Sequence, residues 1–155
     1  MPFFFGEYNY TLDAKGRVNI PATFRKADPR LEQSKNYIFF DEEDICLHVY
    51  TAHEFETNVV DYLKKLPTRN KDGRAYASII GENVREVSLD KQGRITIPNN
   101  FLEKAKIKKD AKIIGAISRI EIWDPEVRKK YKDDLGGAQA KAKLEKKFLT
   151  QKESE

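Results

Sequence analysis

Short runs of β-branched, aromatic and other apolar residues recur along the chain and predict β-strands. These runs lie at residues 8–12, 17–20, 37–40, 47–50, 84–89, 113–117 and 120–123. Helix signals are shorter and lie between the runs or after them. The pattern favours a fold that is mainly β with peripheral helices, that is, an α+β fold.

The predicted helices begin at recognisable capping residues. Pro21 and Pro98 each open a segment that reads as a short helix with proline in its first turn. Thr51 and Glu54 match a capping box, so a helix should begin there, and it must end before Pro67.

The middle of the chain reads as a connection between two halves. Residues 64–74 carry five basic side chains and one acidic side chain, and they show no sustained apolar periodicity. Because Gly73 weakens any helix there, this stretch is predicted to be a linker, followed by a short helix at 75–83. Asp124 as N-cap with Pro125 directly after it predicts the start of another helix.

The sequence contains an internal repeat. Residues 11–21 return as residues 88–98, and six of the eleven positions are identical at a constant offset of 77. Phe24 and Phe101 extend the same register. Two copies of one supersecondary unit are the natural interpretation. We therefore divide the chain into repeat 1 (7–53), a helix and linker (54–83), repeat 2 (84–127) and a basic, mobile tail (136–155).

The most informative part of the repeat is a tight turn between two strands. Asp13 can accept hydrogen bonds from backbone groups ahead of it, and Gly16 can adopt a positive φ without steric strain. Arg17 then begins the returning strand, close enough to Asp13 for an ion pair. The second copy has the same residue types at Asp90, Gly93 and Arg94.

The turn also offers a nucleic-acid contact. Lys15 and Arg17 can reach DNA phosphates, and an arginine can bind the O6 and N7 atoms of guanine. In the second copy Ala14-Lys15 is replaced by Lys91-Gln92, so the first turn is the better DNA-binding candidate. The second turn is then auxiliary or structural. The alternative is that both Asp–Arg pairs are purely structural.

Composition limits the classes of function. The chain has 155 residues and a net charge of +4, but residues 31–63 carry −7 and residues 126–155 carry +3, so charge alone is weak evidence for DNA. There is no apolar run long enough to span a membrane, and a single cysteine, Cys46, favours a cytoplasmic location. No phosphate-binding loop, nucleophile elbow or zinc-protease motif occurs, so neither an enzyme nor a small-molecule substrate or cofactor is expected.

Cys46, His48 and His53 lie near one another, but with no further cysteine a zinc site is not expected.

The sequence resembles the MraZ family, which is related to the AbrB/SpoVT regulators. The resemblance is carried by Phe5-Gly6-Glu7-Tyr8, by 12–17 with Ile20-Pro21-Ala22, by 86–94 with Ile97-Pro98, and by Glu121-Ile122-Trp123-Asp124. It runs from about residue 3 to residue 130 and includes both turns.

The resemblance implies a fold and a function. Each repeat would be a swapped-hairpin unit of the AbrB type, and the two together would form a pseudo-symmetric β-barrel. The protein would assemble into a ring-shaped homo-oligomer, bind double-stranded DNA at tandem promoter repeats of the division and cell-wall gene cluster, act as a repressor and associate with the nucleoid. The DNA-contacting loop of the family corresponds to Lys15 and Arg17.

Two hypotheses follow for the function. The first is a sequence-specific DNA-binding regulator, with Asp13, Lys15, Gly16 and Arg17 as the contacting turn. The second is an oligomeric scaffold that binds a protein partner. No metal site is assigned in either case.

Overall fold

The computed structural model describes residues 2–154, with side chains as far as Leu149. Within this range the strands are Glu7–Thr11 (β1), Arg17–Asn19 (β2), Asn36–Asp41 (β3), Cys46–Thr51 (β4), Val84–Val87 (β5), Arg94–Thr96 (β6), Asp110–Gly115 (β7) and Ile120–Trp123 (β8). The α-helices are Ala22–Ala27 (α1), Arg30–Gln33 (α2), Ala52–Phe55 (α3), Asp61–Lys64 (α4), Lys71–Glu82 (α5), Asn99–Lys104 (α6), Pro125–Asp134 (α7) and Ala140–Ser154 (α8). A π-helical segment, Glu56–Val60, joins α3 to α4. The strands predicted from sequence are confirmed, with small shifts at their ends.

The strands of the two repeats are interleaved in one antiparallel sheet. Among the described residues this sheet has six strands in the order β1-β7-β8-β4-β3-β5. Strand β1 of the first repeat pairs with β7 of the second, and β5 of the second repeat pairs with β3 of the first. Each repeat therefore gives its first strand to the edge of the other, which is the swapped arrangement that the resemblance implied.

The remaining strands form a separate ribbon. Strands β2 and β6 pair only with each other among the described residues, in the antiparallel register Arg17↔Thr96, Val18↔Ile95 and Asn19↔Arg94. Because β2 and β6 leave the main sheet, β1 and β5 have no strand partner on their outer sides within residues 2–154. The sheet is not closed, and the predicted barrel is wrong in this respect.

The balance of elements is also more even than predicted. Helices account for 43% of residues and strands for 26%, so the fold is a mixed α+β fold and not a mainly β one. The α+β class and the two-repeat organisation are confirmed.

Equivalent residues of the two repeats build the core. Val18 and Ile95 face inward from the ribbon, and Phe24 and Phe101 are buried at the corresponding positions of α1 and α6. The rings of Phe4 and Tyr8 each meet the ring of Phe24 edge-on at 5.4 Å. Strands β4 and β8 lie at the centre of the sheet and are buried along their whole length. The 77-residue repeat is thus a repeat of packing as well as of sequence.

One half of the capping box predicted at Thr51 is present, while the Glu54 carboxylate accepts a hydrogen bond from Asn58 Nδ2 at 2.8 Å and none from the Thr51 N–H among the described residues. The Thr51 hydroxyl oxygen accepts a hydrogen bond from the Glu54 backbone N–H at 3.3 Å, and α3 starts directly after Thr51. Helix α4 ends at Lys64, before Pro67. The spacing in the sequence could predict the start of α3, because the hydrogen bond at its N-cap joins residues only three positions apart.

The linker is shorter than predicted, because α5 begins at Lys71 and includes Gly73. A Cβ atom at Gly73 would lie 2.3 Å from the carbonyl oxygen of Pro67. Gly73 therefore allows the chain before α5 to pack closely against the first turn of the helix. The predicted linker 64–74 therefore reached four residues too far, because Gly73 lowers helix propensity but does not prevent the helix from starting at Lys71.

Residues up to Asp124 form one compact unit, and residues from Pro125 form a second. In the second unit Gly136 and Gly137 have φ of 122° and 59°, and they separate α7 from a 3₁₀ turn at Gly137–Gln139 and from α8. The predicted mobility of 136–155 stays a prediction, and its last residue and the side chains beyond Leu149 lie outside the described part. None of the helices within residues 2–154 is long and apolar enough to cross a membrane.

Candidate nucleic-acid interface

The first turn is held together by the carboxylate of Asp13. Its Oδ1 atom accepts hydrogen bonds from the backbone N–H groups of Lys15 (3.0 Å) and Arg17 (2.9 Å). Its Oδ2 atom accepts one from Arg17 Nε at 2.6 Å. Gly16 has φ +74° and donates its N–H to the Asp13 carbonyl at 3.0 Å. The predicted Asx-turn, positive φ and ion pair are all confirmed.

The second turn repeats this geometry atom for atom. Asp90 Oδ1 accepts hydrogen bonds from the N–H groups of Gln92 and Arg94, both at 2.9 Å, and Oδ2 accepts one from Arg94 Nε at 2.8 Å. Gly93 has φ +79° and donates to the Asp90 carbonyl at 3.0 Å. The differences between Ala14-Lys15 and Lys91-Gln92 therefore leave the backbone conformation unchanged.

The ribbon of β2 and β6 brings the two turns together. The Ile20 N–H donates to the Gly93 carbonyl at 2.8 Å, and the Ile97 N–H donates to the Gly16 carbonyl at 3.0 Å. These bonds continue the ladder on both sides of the three paired residues. Because each strand of the ribbon is only three residues long, the turns are separated by about 7–10 Å of strand.

Side-chain alternation sets which groups the ribbon exposes. Val18 and Ile95 point into the core, so Arg17 and Arg94, one position away on each strand, point outward. The side chains of Arg17 and Arg94 are 30% and 23% exposed. The outer face of the ribbon therefore carries one arginine from each repeat.

Both arginines are ion-paired in the same way. Hydrogen bonding from the Arg17 backbone N–H, opposed by partial desolvation and reinforced by the Arg17 guanidinium, holds the pKa of Asp13 below its usual value. The pKa of Asp90 is lowered by Arg94 through the same contacts. In both turns the aspartate binds Nε, the nitrogen nearest the chain. The terminal Nη groups of Arg17 and Arg94 make no hydrogen bond among the described residues and can donate to a ligand, although Arg94 Nη1 lies 3.9 Å from Asp13 Oδ2. Lys15 and Lys91 are exposed and have no ion-pair partner among the described residues.

A third arginine lies at the second turn and was missed from the sequence. An ideal Cβ at Gly93 would lie 2.6 Å from Cζ of Arg25, so the Arg25 guanidinium fills the space where a side chain at position 93 would stand. Arg25 belongs to α1 of the first repeat. The sequence carried part of the signal, because the offset of 77 aligns Arg25 with Leu102 and the two repeats differ in charge there. Only the structure shows that Leu102 packs against Gly16 at the first turn.

Cys46, His48 and His53 do not form a group. Cys46 and His48 are buried on β4, and burial raises the pKa of the Cys46 thiol. Within residues 2–154 no three His, Cys, Asp or Glu side chains are placed to hold a metal ion together.

Comparison with known proteins gives one consistent result. The family described as "MraZ protein, putative antitoxin-like" matches residues 3–78 and 82–151. The protein named Transcriptional regulator MraZ from Alkaliphilus metalliredigens (strain QYMF) is 40% identical over 131 residues, or 84% of this chain and 87% of the relative. The protein of the same name from Clostridium tetani (strain Massachusetts / E88) is 41% identical over 130 residues, or 84% of this chain and 87% of the relative. The one from Thermoanaerobacter sp. (strain X514) is 43% identical over 129 residues, with 83% and 86% covered.

These names describe a non-enzymatic function, in agreement with the sequence-based expectation. The matches extend across both turns and the strands that position them, and the resemblance noted from the motifs is confirmed. The chain therefore belongs to the MraZ family.

Proposed function

We propose that this protein is a transcriptional regulator that binds double-stranded DNA sequence-specifically through the two turns and the ribbon between them. The observation that carries the proposal is the pairing of β2 with β6. It places two turns, each with a positive-φ glycine and an arginine, on one exposed face. The names of the relatives support a role in transcription.

The geometry suits direct reading of base edges. A two-stranded ribbon fits the major groove of B-DNA, and an arginine whose Nη groups are available can bind guanine O6 and N7. Arg17 and Arg94 are fixed at Nε by Asp13 and Asp90, so little side-chain entropy is lost when DNA binds. Lys15 and Lys91, at the tips of the turns, are placed to contact phosphates.

One subunit presents few cations, so binding by a single copy should be weak. Several copies in a ring-shaped homo-oligomer, each facing one of a series of tandem promoter repeats, raise the effective concentration of every turn near DNA. The resemblance supports repression of the division and cell-wall gene cluster and association with the nucleoid. Under this proposal the affinity comes from repetition of the turn and not from the modest net charge of +4.

One observation favours a second candidate, an oligomeric scaffold that binds a protein. Both arginines already have a carboxylate partner, at 2.6 Å and 2.8 Å, so the pairs also serve to hold the turns. In this case the outer face of the ribbon would have no affinity for DNA.

The two functions are separated by a footprint and gel shifts on DNA upstream of the protein's own gene. We expect protected repeats spaced by about one helical turn. Arg17→Ala should weaken specific binding by about tenfold or more, because one bidentate arginine contact is worth about 1–3 kcal/mol. Lys35→Ala removes an exposed cation that is also carboxylate-paired, with Glu86 at 3.3 Å, but lies outside the ribbon. Loss of binding in both variants, or in neither, would contradict the assignment of Arg17.

A further inference from the structure

Arg25 stands at the second turn although it belongs to the first repeat. Its Nε donates a hydrogen bond to the Ile20 carbonyl at 3.1 Å, and its Nη1 donates one to Glu32 Oε1 at 3.1 Å. The Ile20 N–H in turn donates to the Gly93 carbonyl at 2.8 Å. The guanidinium is therefore tied to the same backbone unit that holds Gly93.

The first turn can be compared directly with the second, because the two repeats have equivalent positions. Leu102 occupies the position equivalent to Arg25 and lies 3.3 Å from an ideal Cβ at Gly16. The first turn thus has the same backbone geometry with a leucine in that place. The turn geometry therefore does not itself require a cation at this position, and the donors of Arg25 that Ile20 and Glu32 leave unused can contact a ligand.

The donors of Arg25 are only partly used. Nη2 has no hydrogen-bond partner among the described residues, and the side chain is 26% exposed beside the turn that carries Lys91 and Arg94. Glu32, its ion-pair partner, is 51% exposed, so this pair lies in water and is readily exchanged for a stronger anion. A guanidinium with free Nη donors at a cationic turn is a typical phosphate ligand.

We propose that Arg25 binds a phosphate of the DNA backbone next to the second turn, a contact that the first turn lacks because Leu102 stands there. The inference rests on the proposed DNA binding and adds a residue to it. It reverses the sequence-based ranking of the two turns. The second turn, with Lys91, Arg94 and Arg25, then has one more DNA-contacting cation than the first.

The test compares the salt dependence of binding for full-length wild type and Arg25→Leu, the residue found in the other repeat. The probes are a duplex from upstream of the protein's own gene and a random-sequence duplex of the same length. Loss of one phosphate contact should lower the slope of log affinity against log salt by about one per bound subunit. Affinity for both duplexes should fall roughly fivefold per bound subunit at physiological salt. Arg25→Lys should keep most of the slope.

Glu32→Gln distinguishes phosphate binding from a structural role. Removing this carboxylate should raise DNA affinity a few-fold when Arg25 is present and have a clearly smaller effect in the Arg25→Leu background. A purely structural Arg25 predicts the same effect in both backgrounds.

The outcomes also separate this inference from the proposed function. If wild type binds neither duplex, the proposed function fails. If wild type binds and Arg25→Leu keeps the wild-type salt slope with a normal unfolding midpoint, Arg25 makes no phosphate contact and only this inference is wrong.

Discussion

Arg94 Nη1 of the second repeat lies 3.9 Å from Asp13 Oδ2 of the first. Asp13 therefore faces two arginines, its own Arg17 at 2.6 Å and Arg94 across the ribbon. The described residues contain no corresponding contact between Arg17 and Asp90. The two turns have the same backbone geometry but different electrostatics, because Asp13 lies within 4 Å of two guanidinium groups and Asp90 of one.

Asp13→Asn should therefore affect DNA binding more than Asp90→Asn. The asparagine amide oxygen can still accept the backbone N–H groups that Oδ1 accepts, so the turn is kept while the negative charge beside two arginines is lost. We expect higher affinity for random-sequence DNA and a smaller ratio of specific to non-specific affinity, because the arginines lose the partner that orients them. Gel-shift titrations with both duplexes measure this ratio. Equal changes in the two variants would show that the 3.9 Å contact has no influence.

A buried polar group on β4 makes stability depend on pH. His48 is 3% exposed, and neither ring nitrogen has a hydrogen-bond partner among the described residues. Nε2 lies 3.5 Å from Asp41 Oδ2, a contact that is an ion pair only if the ring is protonated. Burial, together with the Arg119 charge, lowers the pKa of His48 to about 4, although Glu121 and Asp41 oppose the shift.

The direction of the pH effect follows from this shift. Between pH 6.5 and 4 the unfolded chain takes up a proton at His48 and the folded chain does not, so acid in this range favours unfolding. Glu121 acts in the same direction at lower pH. Burial raises the pKa of its carboxyl, but hydrogen bonds from Trp123 and Arg119 lower it further, and their stabilisation is lost as the carboxyl becomes protonated.

His48→Leu should flatten the acid side of the stability profile. The free energy of unfolding at pH 7 should stay within about 1.5 kcal/mol of wild type, because the ring makes no hydrogen bond and leucine has a similar volume. Between pH 6.5 and 4 the slope should decrease by up to about 1.4 kcal/mol per pH unit. Urea unfolding at a series of pH values measures it.

The two glycines of α5 should respond to alanine with opposite signs. Nothing lies within 4 Å of an ideal Cβ at Gly81, so Gly81→Ala should stabilise the protein by about 0.5–1 kcal/mol through the entropy of the unfolded chain. At Gly73 the new methyl group would lie 2.3 Å from the Pro67 carbonyl oxygen. Gly73→Ala should destabilise by about 1–3 kcal/mol. Thermal unfolding of both variants tests the pair, and stabilisation by both would mean that the chain at Pro67 moves aside freely.

Gly115 keeps the N-terminal segment against β7. The N–H groups of Phe4 and Ile117 donate to each other's carbonyl groups at 2.9 Å and 3.1 Å, and an ideal Cβ at Gly115 would lie 2.4 Å from the Phe5 nitrogen. Gly115→Ala should push this segment away and expose Phe4, with a loss of stability of up to about 3–5 kcal/mol. Because both changes release the same contact, Gly115→Ala and Phe4→Ala should be clearly non-additive in the double variant. Additive unfolding free energies would show that Phe4 stays packed when Gly115 is replaced.

Much of the candidate site follows from local sequence. The turn at Asp13 depends on hydrogen bonds within five consecutive residues and on a positive φ at Gly16, and both are recorded in residue type and spacing. The repeat at Asp90 is determined in the same way. The strands, the N-cap at Thr51 and the family could also be derived from the sequence, because short-range patterns carry them.

What lay beyond the sequence involves residues far apart in the chain. The pairing of β2 with β6 and the contact of Arg94 with Asp13 join segments about 80 residues apart, and no local pattern specifies which strands meet. For the same reason the open sheet in place of a barrel could not be derived from the sequence. The start of α5 was predicted at residue 75 and not at Lys71, because the cost of Gly73 to a helix is local while the close approach of Pro67 that it allows depends on the fold. The sequence alone determined the two turns and their chemistry. The tertiary structure decided that the two turns lie on one ribbon. It also decided that Arg25 lies beside the second turn, where the first turn has Leu102, because packing brings together side chains that are far apart in the sequence.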